Sequence, residues 1–359
     1  MGMRPHELLR RKGTPYDKLG RGPQVKERRC SIEARRGVPA SRPIHPVRTD
    51  RDKTRPVEGW QAVGRKLAVL PRRIDRRHML FTLGSGVGVM SLGARQARSA
   101  AVPLRFALTP VLLTSDLIML EELKSYLARA IERPVHLITR RTQQEISALL
   151  VSRQVDAAWI CGYPFVAFRN ELALVAVPVW RGKPLYQSYL IVRSDLKAQT
   201  LSDLAGTMHA FADPDSNSYL VTTAALVEMG TSPSKFFRQF FYTYGHRNVV
   251  RAVSAGLAAG GSGDGYVYDV LRETEPDLVT RTRIIRKSEL LGFPPIACAA
   301  ADNGSPTIAC LRAALVNMHS DVHGRRVLAL LRLDGFSVEE PELFDGIAAK
   351  MKFVRGALE

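Results

Sequence analysis

Between Leu104 and Ile160 the chain alternates short apolar runs with amphipathic stretches, and that alternation restricts the fold more than any other feature of the sequence. LRFALTP, opening at Leu104, reads as a strand. After it Leu123, Tyr126, Leu127, Ala130 and Ile131 recur at i, i+3, i+4 spacing and set one apolar face on a helix. Pro134 follows the helix end, and VHLI (Val135 to Ile138) reads as a second strand. Gln143 to Ser152 form another helix, and VDAAWI (Val155 to Ile160) is a buried strand running into the loop Cys161-Gly162-Tyr163-Pro164. A β-α-β-α-β order predicts an α/β fold with a mostly parallel sheet and helices on both faces.

Two strands with less helix between them come next, LALVAVPVW up to Trp180 and YQSYLIVR from Tyr186 to Arg193. Around Ser194 a second α/β unit begins. It holds the short helix of LSDLAG, a strand at Met208 to Ala212, a polar loop from Asp213 to Ser218, and a long helix stopped by Gly230. Ser232-Pro233 starts a further helix as N-cap and first residue. FFYTY (Phe240 to Tyr244) is a strand ending at Gly245-His246, and Asn248 to Leu257 is a helix. A Gly-rich stretch, AAGGSGDGYVYDVL, follows, then a strand at Thr282 to Ile285. The last sixty residues read as mainly helical: Pro306 to His319, Gly324 to Leu331 and a closing helix from Pro341. We expect two lobes, residues 102–193 with 296–359 and residues 194–295, with the chain crossing between them near residues 193 and 295.

A formal charge of +18 and a pI near 10.1 would ordinarily point to nucleic acid or an anionic membrane. The charge is not spread evenly. Residues 1–101 carry 24 Lys/Arg against 8 Asp/Glu, and the remaining residues carry 28 against 26. Residues 1–75 have no apolar periodicity and many Arg and Pro, and read as a disordered basic extension or as sequence upstream of the natural start. Residues 76–101 have the tripartite build of a secretory signal: Arg76-Arg77 with Leu80, a short apolar run from Phe81 to Leu92, then small residues with cleavage expected after Ser99 or Ala101. The arginine pair is twin-arginine-like. The run is too short to span a bilayer, so the mature protein is expected to be soluble and periplasmic. The cysteines (Cys30, Cys161, Cys298, Cys310) fit no zinc spacing; a Cys298–Cys310 bridge and buried thiols are both open.

The stretch FADPDSNSYLVTTAALVEM (Phe211 to Met229) is where chemistry concentrates. Pro214 and Asp215 are turn formers, and Ser216, Asn217 and Ser218 are N-cap residue types. A helix N-terminus has unpartnered amides and a positive dipole, so three such side chains there form an anion cradle. Ordinary capping is the plainer reading of the same residues.

The order of these segments resembles the substrate-binding proteins of phosphate, phosphite and phosphonate ABC importers, the phosphonate-binding-protein-like family. The resemblance covers about residues 104–355 and rests on five stretches in order: the opening strand and helix ending in RPVHL, EISALLVSRQVDAAWICGYPFV, LSDLAGTMHAFADPDSNSYLV, FFYTYGHRNVVRAVSAG and GFSVEEPELFDGI. It implies a two-lobe, type II periplasmic binding fold that closes around a small oxyanion and hands it to an inner-membrane permease, as a monomer, with no cofactor, no metal, no nucleic acid and no catalysis. Ser216, Asn217 and Ser218 would supply hydroxyl, amide and backbone donors. His246, at the end of the FFYTY strand, would add another donor. Asp264 or Tyr266 would select the ligand's substituent or protonated oxygen, and Tyr163 would form an aromatic wall. Each also has a structural reading: a satisfied histidine, a turn aspartate, a packed tyrosine.

Three positions depart from the family pattern. Tyr219 follows Ser218 where the family carries Gly, Asp215 adds a negative charge beside the loop, and AAGGSGDG stands in place of a short strand. Other readings remain: the same fold holding a different small anion or metabolite, as a sensor or transport component; an enzyme using His246 with Asp264 or Ser218; and nucleic-acid binding through the basic leader. No G-x-S-x-G, H-E-x-x-H or G-x-x-x-x-G-K signature backs the enzyme.

Overall fold

The computed structural model describes residues 102–109 and 117–358. The basic extension and the export signal expected at residues 1–101 lie outside the described residues. The first lobe opens with β1 (Leu104–Leu108), α1 (Leu117–Ala130), β2 (Val135–Thr139), α2 (Gln143–Val151), β3 (Ala157–Trp159), α3 (Gly162–Ala167) and β4 (Leu172–Val179). The chain then passes through β5 (Leu185–Tyr186) into the second lobe. That lobe holds β6 (Ser188–Arg193), β7 (Met208–Phe211), α4 (Asn217–Glu228), α5 (Pro233–Phe236), β8 (Gln239–Tyr242), α6 (His246–Ser254), β9 (Gly260–Asp264), α7 (Gly265–Thr274), α8 (Pro276–Val279) and β10 (Thr282–Lys287). It returns through β11 (Leu291–Gly292) to β12 (Ile296–Ala299), α9 (Pro306–Val316), α10 (Val322–Leu331), β13 (Gly335–Ser337) and α11 (Asp345–Leu358).

The first lobe's sheet has the order β13-β4-β12-β3-β1-β2, with β1, β2 and β3 parallel and β12, β4 and β13 joined antiparallel. Leu104, Phe106, Leu108 and Trp159 are completely or almost completely buried in it. The second sheet runs β10-β6-β9-β7-β8, with β9, β7 and β8 parallel and β6 and β10 antiparallel. The result is a type II periplasmic-binding fold: two α/β lobes joined by two passages. Those passages pair with each other, Tyr186 opposite Leu291 and Leu185 opposite Gly292.

The sheet order corrects two expectations. The outgoing passage does not lie near residue 193, because Ser188–Arg193 is already a strand of the second sheet, pairing with β9 and β10. The turn into lobe 2 therefore comes before Ser188. AAGGSGDG does not replace a strand either; it contains β9, which lies between β6 and β7 and is buried at every residue. Its glycines are there for room, not for a special backbone angle. A Cβ on Gly261 would lie 2.6 Å from Val249 Cγ1 and 2.9 Å from Val253 Cγ2, so only Gly lets α6 lie this close to the sheet. Ladder bonds to both neighbours offset the intrinsic weakness of glycine in a strand.

The strands β12 and β13 were not legible in the sequence as strands: IACA follows Pro294-Pro295 and GFS runs into Val338-Glu339-Glu340, and neither has a two-residue alternation. Cys161 and Cys298 are both buried free thiols, so the Cys298–Cys310 bridge is not formed. Among the described residues no helix is long and apolar enough to cross a membrane.

Candidate functional site: a buried helix N-terminus between two lobes

In open α/β sheets ligands bind beyond the carboxyl ends of the strands. In lobe 2 three neighbouring parallel strands end together, and the segments just past their carboxyl ends make up the candidate site. The loop Asp213–Ser216 and α4 come after β7, Gly245 and α6 come after β8, and β9 ends on Asp264, which caps α7. On the lobe 1 side, β3 leads into Cys161, Gly162 and Tyr163.

Ser216 is the N-cap of α4, with extended backbone (φ −91°, ψ 145°). Its Oγ accepts the Tyr219 amide at 3.2 Å and donates to the Asp213 carbonyl at 2.7 Å, so its one hydrogen is committed within the loop. Ser218 Oγ lies 3.2 Å from Ser216 Oγ. Since the Ser216 hydrogen points to Asp213, Ser218 is the donor in that pair, and its hydroxyl is the one that can turn to another acceptor. Asn217 faces lobe 1: its amide donates to Cys161 Sγ at 3.4 Å and its Nδ2 to the Tyr186 hydroxyl at 2.8 Å. Asn217 Oδ1 is buried without a hydrogen-bond partner among the described residues. All three side chains are at most 2% exposed. A Cβ on Gly162 would come within 2.5 Å of Ile347 Cδ1 and 3.0 Å of Asn217 Nδ2, so the first lobe reaches the cradle only because position 162 has no side chain.

His246 is the first residue of α6, not the end of the preceding strand as expected; Tyr244, in the left-handed region at φ 52°, turns the chain ahead of it. The imidazole is 4% exposed, and its Nδ1 accepts the Asp264 amide at 3.0 Å. The ring hydrogen therefore sits on Nε2. Burial pushes the His246 pKa down to about 4, so it is a neutral donor at physiological pH. Asp264 caps α7, its Oδ1 accepting the amides of Tyr266 at 2.8 Å and Val267 at 3.2 Å. Burial pushes its carboxyl up to about 7, against the opposing pull of those two amides. Burial also pushes the Cys161 thiol up to about 12.

Tyr266 does not join the cradle. Its hydroxyl donates to the Leu331 carbonyl at 2.5 Å, and its ring packs edge-on against Trp180 and Phe293, making it a contact between lobes. Tyr163 is half-buried in the first turn of α3, where Asp215 of the other lobe contributes to raising its pKa after burial itself; this sets it at the seam. Tyr219, standing where the family carries Gly, needs no unusual backbone. It continues α4 and turns its ring onto Phe211 and Tyr242, out of the cradle. Asp215 is not the cap; burial and the neighbouring Asp213 raise its pKa, with Gln144 of lobe 1 pulling the other way.

Cys161, Tyr186, Asp213 and Gln143 were missed as site residues. Asp213 opens the polar loop already singled out and Tyr186 opens the stretch YQSYLIVR, but nothing local marks Gln143, which reaches the site only because two distant lobes meet.

A family model for ABC transporter phosphonate periplasmic substrate-binding proteins matches residues 106–343. Among solved structures, a binding protein component of an ABC phosphonate transporter from Pseudomonas aeruginosa shares 20% identity at a TM-score of 0.65, covering 71% of this chain and 87% of its own. PhnD1 from Prochlorococcus marinus, solved with methylphosphonate, shares 14% identity at 0.64, covering 70% and 98%. The alkanesulfonate-binding protein SsuA from Xanthomonas axonopodis, bound to MOPS, shares 15% at 0.51, covering 71% and 93%. No curated protein matches the chain. With two thirds of its length matched by the family model and the fold of both phosphonate-transporter neighbours, the chain belongs to the periplasmic substrate-binding proteins of phosphonate ABC transporters.

Proposed function

We propose that this protein captures a small phosphorus oxyanion (a phosphonate, phosphite or phosphate) between its lobes for an ABC importer, after export and removal of the leader, and acts as a monomer without catalysis. The observation that carries the reading is the buried first turn of α4, where the Ser218 hydroxyl and the helix dipole lie past the carboxyl end of β7, with neutral His246 opening α6 past the end of the neighbouring β8. None of these donors is a cation, so selection rests on satisfied hydrogen bonds in a dry seam, where each unpaired donor costs about 1–3 kcal/mol. Ser218 and His246 Nε2 serve the anion's oxygens, Asp264 meets the substituent or a protonated oxygen through Oδ2, and Tyr163 walls the entrance. Ser216 holds the loop, and Asn217 joins it to Tyr186.

A thermal-shift screen of residues 102–359 against phosphate, phosphite, methylphosphonate, sulfate and small carboxylates tests this. A ligand at 100 times its Kd stabilises by about 2.7 kcal/mol, a readily seen rise in Tm. A rise with a phosphorus oxyanion that disappears in Ser218→Ala supports the assignment. A rise only with sulfate or a carboxylate would move the ligand to another class.

A further inference from the structure

Asp213, at the carboxyl end of β7, is 3% exposed and works on both lobes. Within its own lobe its Oδ1 accepts the Asp215 amide at 2.9 Å. Its carbonyl takes the Ser216 amide at 3.1 Å and the Ser216 hydroxyl at 2.7 Å. Those three bonds give the cradle loop its shape. Its other carboxylate oxygen, Oδ2, crosses the seam to accept the amide of Gln143 at 3.2 Å. Gln143 is the first residue of α2 in lobe 1 and is 2% exposed. That helix has its own capping box, Thr142 Oγ1 accepting the Glu145 amide and the Glu145 carboxylate accepting the Thr142 amide, each at 3.1 Å. The Gln143 amide is one of the first-turn donors left without an intrahelical partner, and a carboxylate from the opposite lobe takes it.

We propose that the Asp213–Gln143 hydrogen bond is the latch that holds the lobes closed on the ligand, tying closure to the order of the Ser216–Ser218 loop. The proposal rests on the oxyanion-binding reading above. The two residues belong to lobes built on different sheets, and among the described residues the chain passes between those lobes through residues 185–187 and 288–295, so the bond exists only when the lobes meet. When they part, the carboxylate returns to water and loses a partner at the positive end of a helix. An anion that orders the loop presents Asp213 to α2, and by linkage a formed latch tightens the cradle around the anion.

Two variants of the full chain separate a latch from mere local stability. Gln143→Pro deletes the donated N–H at a position where proline suits a helix, and Thr142 (φ −123°, ψ 156°) already has the backbone that precedes proline. Thr142→Ala weakens the α2 cap but leaves the Gln143 amide in place. Binding of methylphosphonate and of inorganic phosphate is measured by calorimetry, and amide hydrogen exchange is followed across residues 213–219, whose Asn217 amide also bridges the lobes. Gln143→Pro should weaken binding about tenfold, equivalent to about 1.4 kcal/mol, and speed exchange in that segment, while Thr142→Ala leaves both near wild type. Wild-type affinity and exchange in Gln143→Pro overturn the latch, and so does a Thr142→Ala variant that reproduces its losses. If the wild type binds neither probe, the oxyanion reading fails, and the exchange comparison alone decides the latch.

Discussion

His246 Nδ1 accepts the main-chain amide of Asp264 at 3.0 Å, so a backbone group, not another side chain, sets which imidazole nitrogen carries the hydrogen. Nitrogen NMR of the folded protein should show His246 as the Nε2–H tautomer and neutral down to about pH 5, since burial holds its pKa near 4. His246→Ala should weaken methylphosphonate binding about tenfold, the order expected for one buried donor. A charged imidazole at pH 6 would show that the ring is not in this environment.

The two serines should separate. Ser216→Ala removes the cap of α4 and should lower stability by about 1 kcal/mol. Ser218→Ala, which leaves the cap intact, should change the denaturation midpoint little and weaken anion binding. Urea melts paired with calorimetric titrations check the pair, and equal stability losses would remove the distinction.

Two buried histidines should cost stability as the solution is acidified. Burial holds His209 near 3 and His246 near 4 in the folded protein, against an ordinary 6.5. Below about pH 6.5 the unfolded chain takes up protons at both positions that the folded chain refuses, so stability is lost as pH falls through that window. Asp264 acts in the opposite sense. With its folded pKa raised to about 7 from 3.8, it gains a proton on folding between those values and stabilises as pH falls from 7 toward 4. Asp213 and Asp215, whose carboxyls burial also raises, act in the same sense as Asp264, so the histidine contribution is read from pH 7 to 4.5 as the difference between wild type and a His209→Gln variant. Tm of both measured across that range checks the sign, and His209→Gln should lose less stability than wild type on the acid side.

Gly261→Ala should destabilise by about 1–3 kcal/mol through overpacking against Val249 and Val253. Gly335→Ala, where a new Cβ meets nothing within 4 Å, should stay within about 0.5 kcal/mol of wild type. Thermal melts of the two variants test whether room or backbone freedom keeps glycine in β9.

Cys161 and Cys298 should resist alkylation at pH 8 in the folded protein, because burial pushes their thiols up to about 12 and about 11. Mass spectrometry after iodoacetamide, with and without guanidinium, reads the difference. Rapid modification of Cys161 without denaturant would mean that the seam between lobes opens readily.

What the sequence disclosed and what it hid divide along one physical line. The alternation from Leu104 to Ile160 and the cap residues Ser216 to Ser218 are local patterns, and they stand where periodicity and capping chemistry put them. The glycine strand was misread because composition reports intrinsic preference, while Gly261 answers to Val249 and Val253, which belong to the helix packed against it. The resemblance implies a cradle role for Tyr266 or Asp264, but the Tyr266 hydroxyl is directed by Leu331, which lies 65 residues away. Asp213 and Gln143 carry no local sign of each other. Elements are written in neighbouring residues; contacts between lobes are not.

The pairing of β5 with β11 bears on how such a molecule can move. Had the two passages been separate threads, the lobes could slide, tilt and swivel in many combinations. Hydrogen-bonded to each other, they form one short ribbon that resists shear along its strands and yields to twist and bend. Movement between the lobes is then that of a door on a single pin, and one well-chosen distance across the opening is enough to follow it.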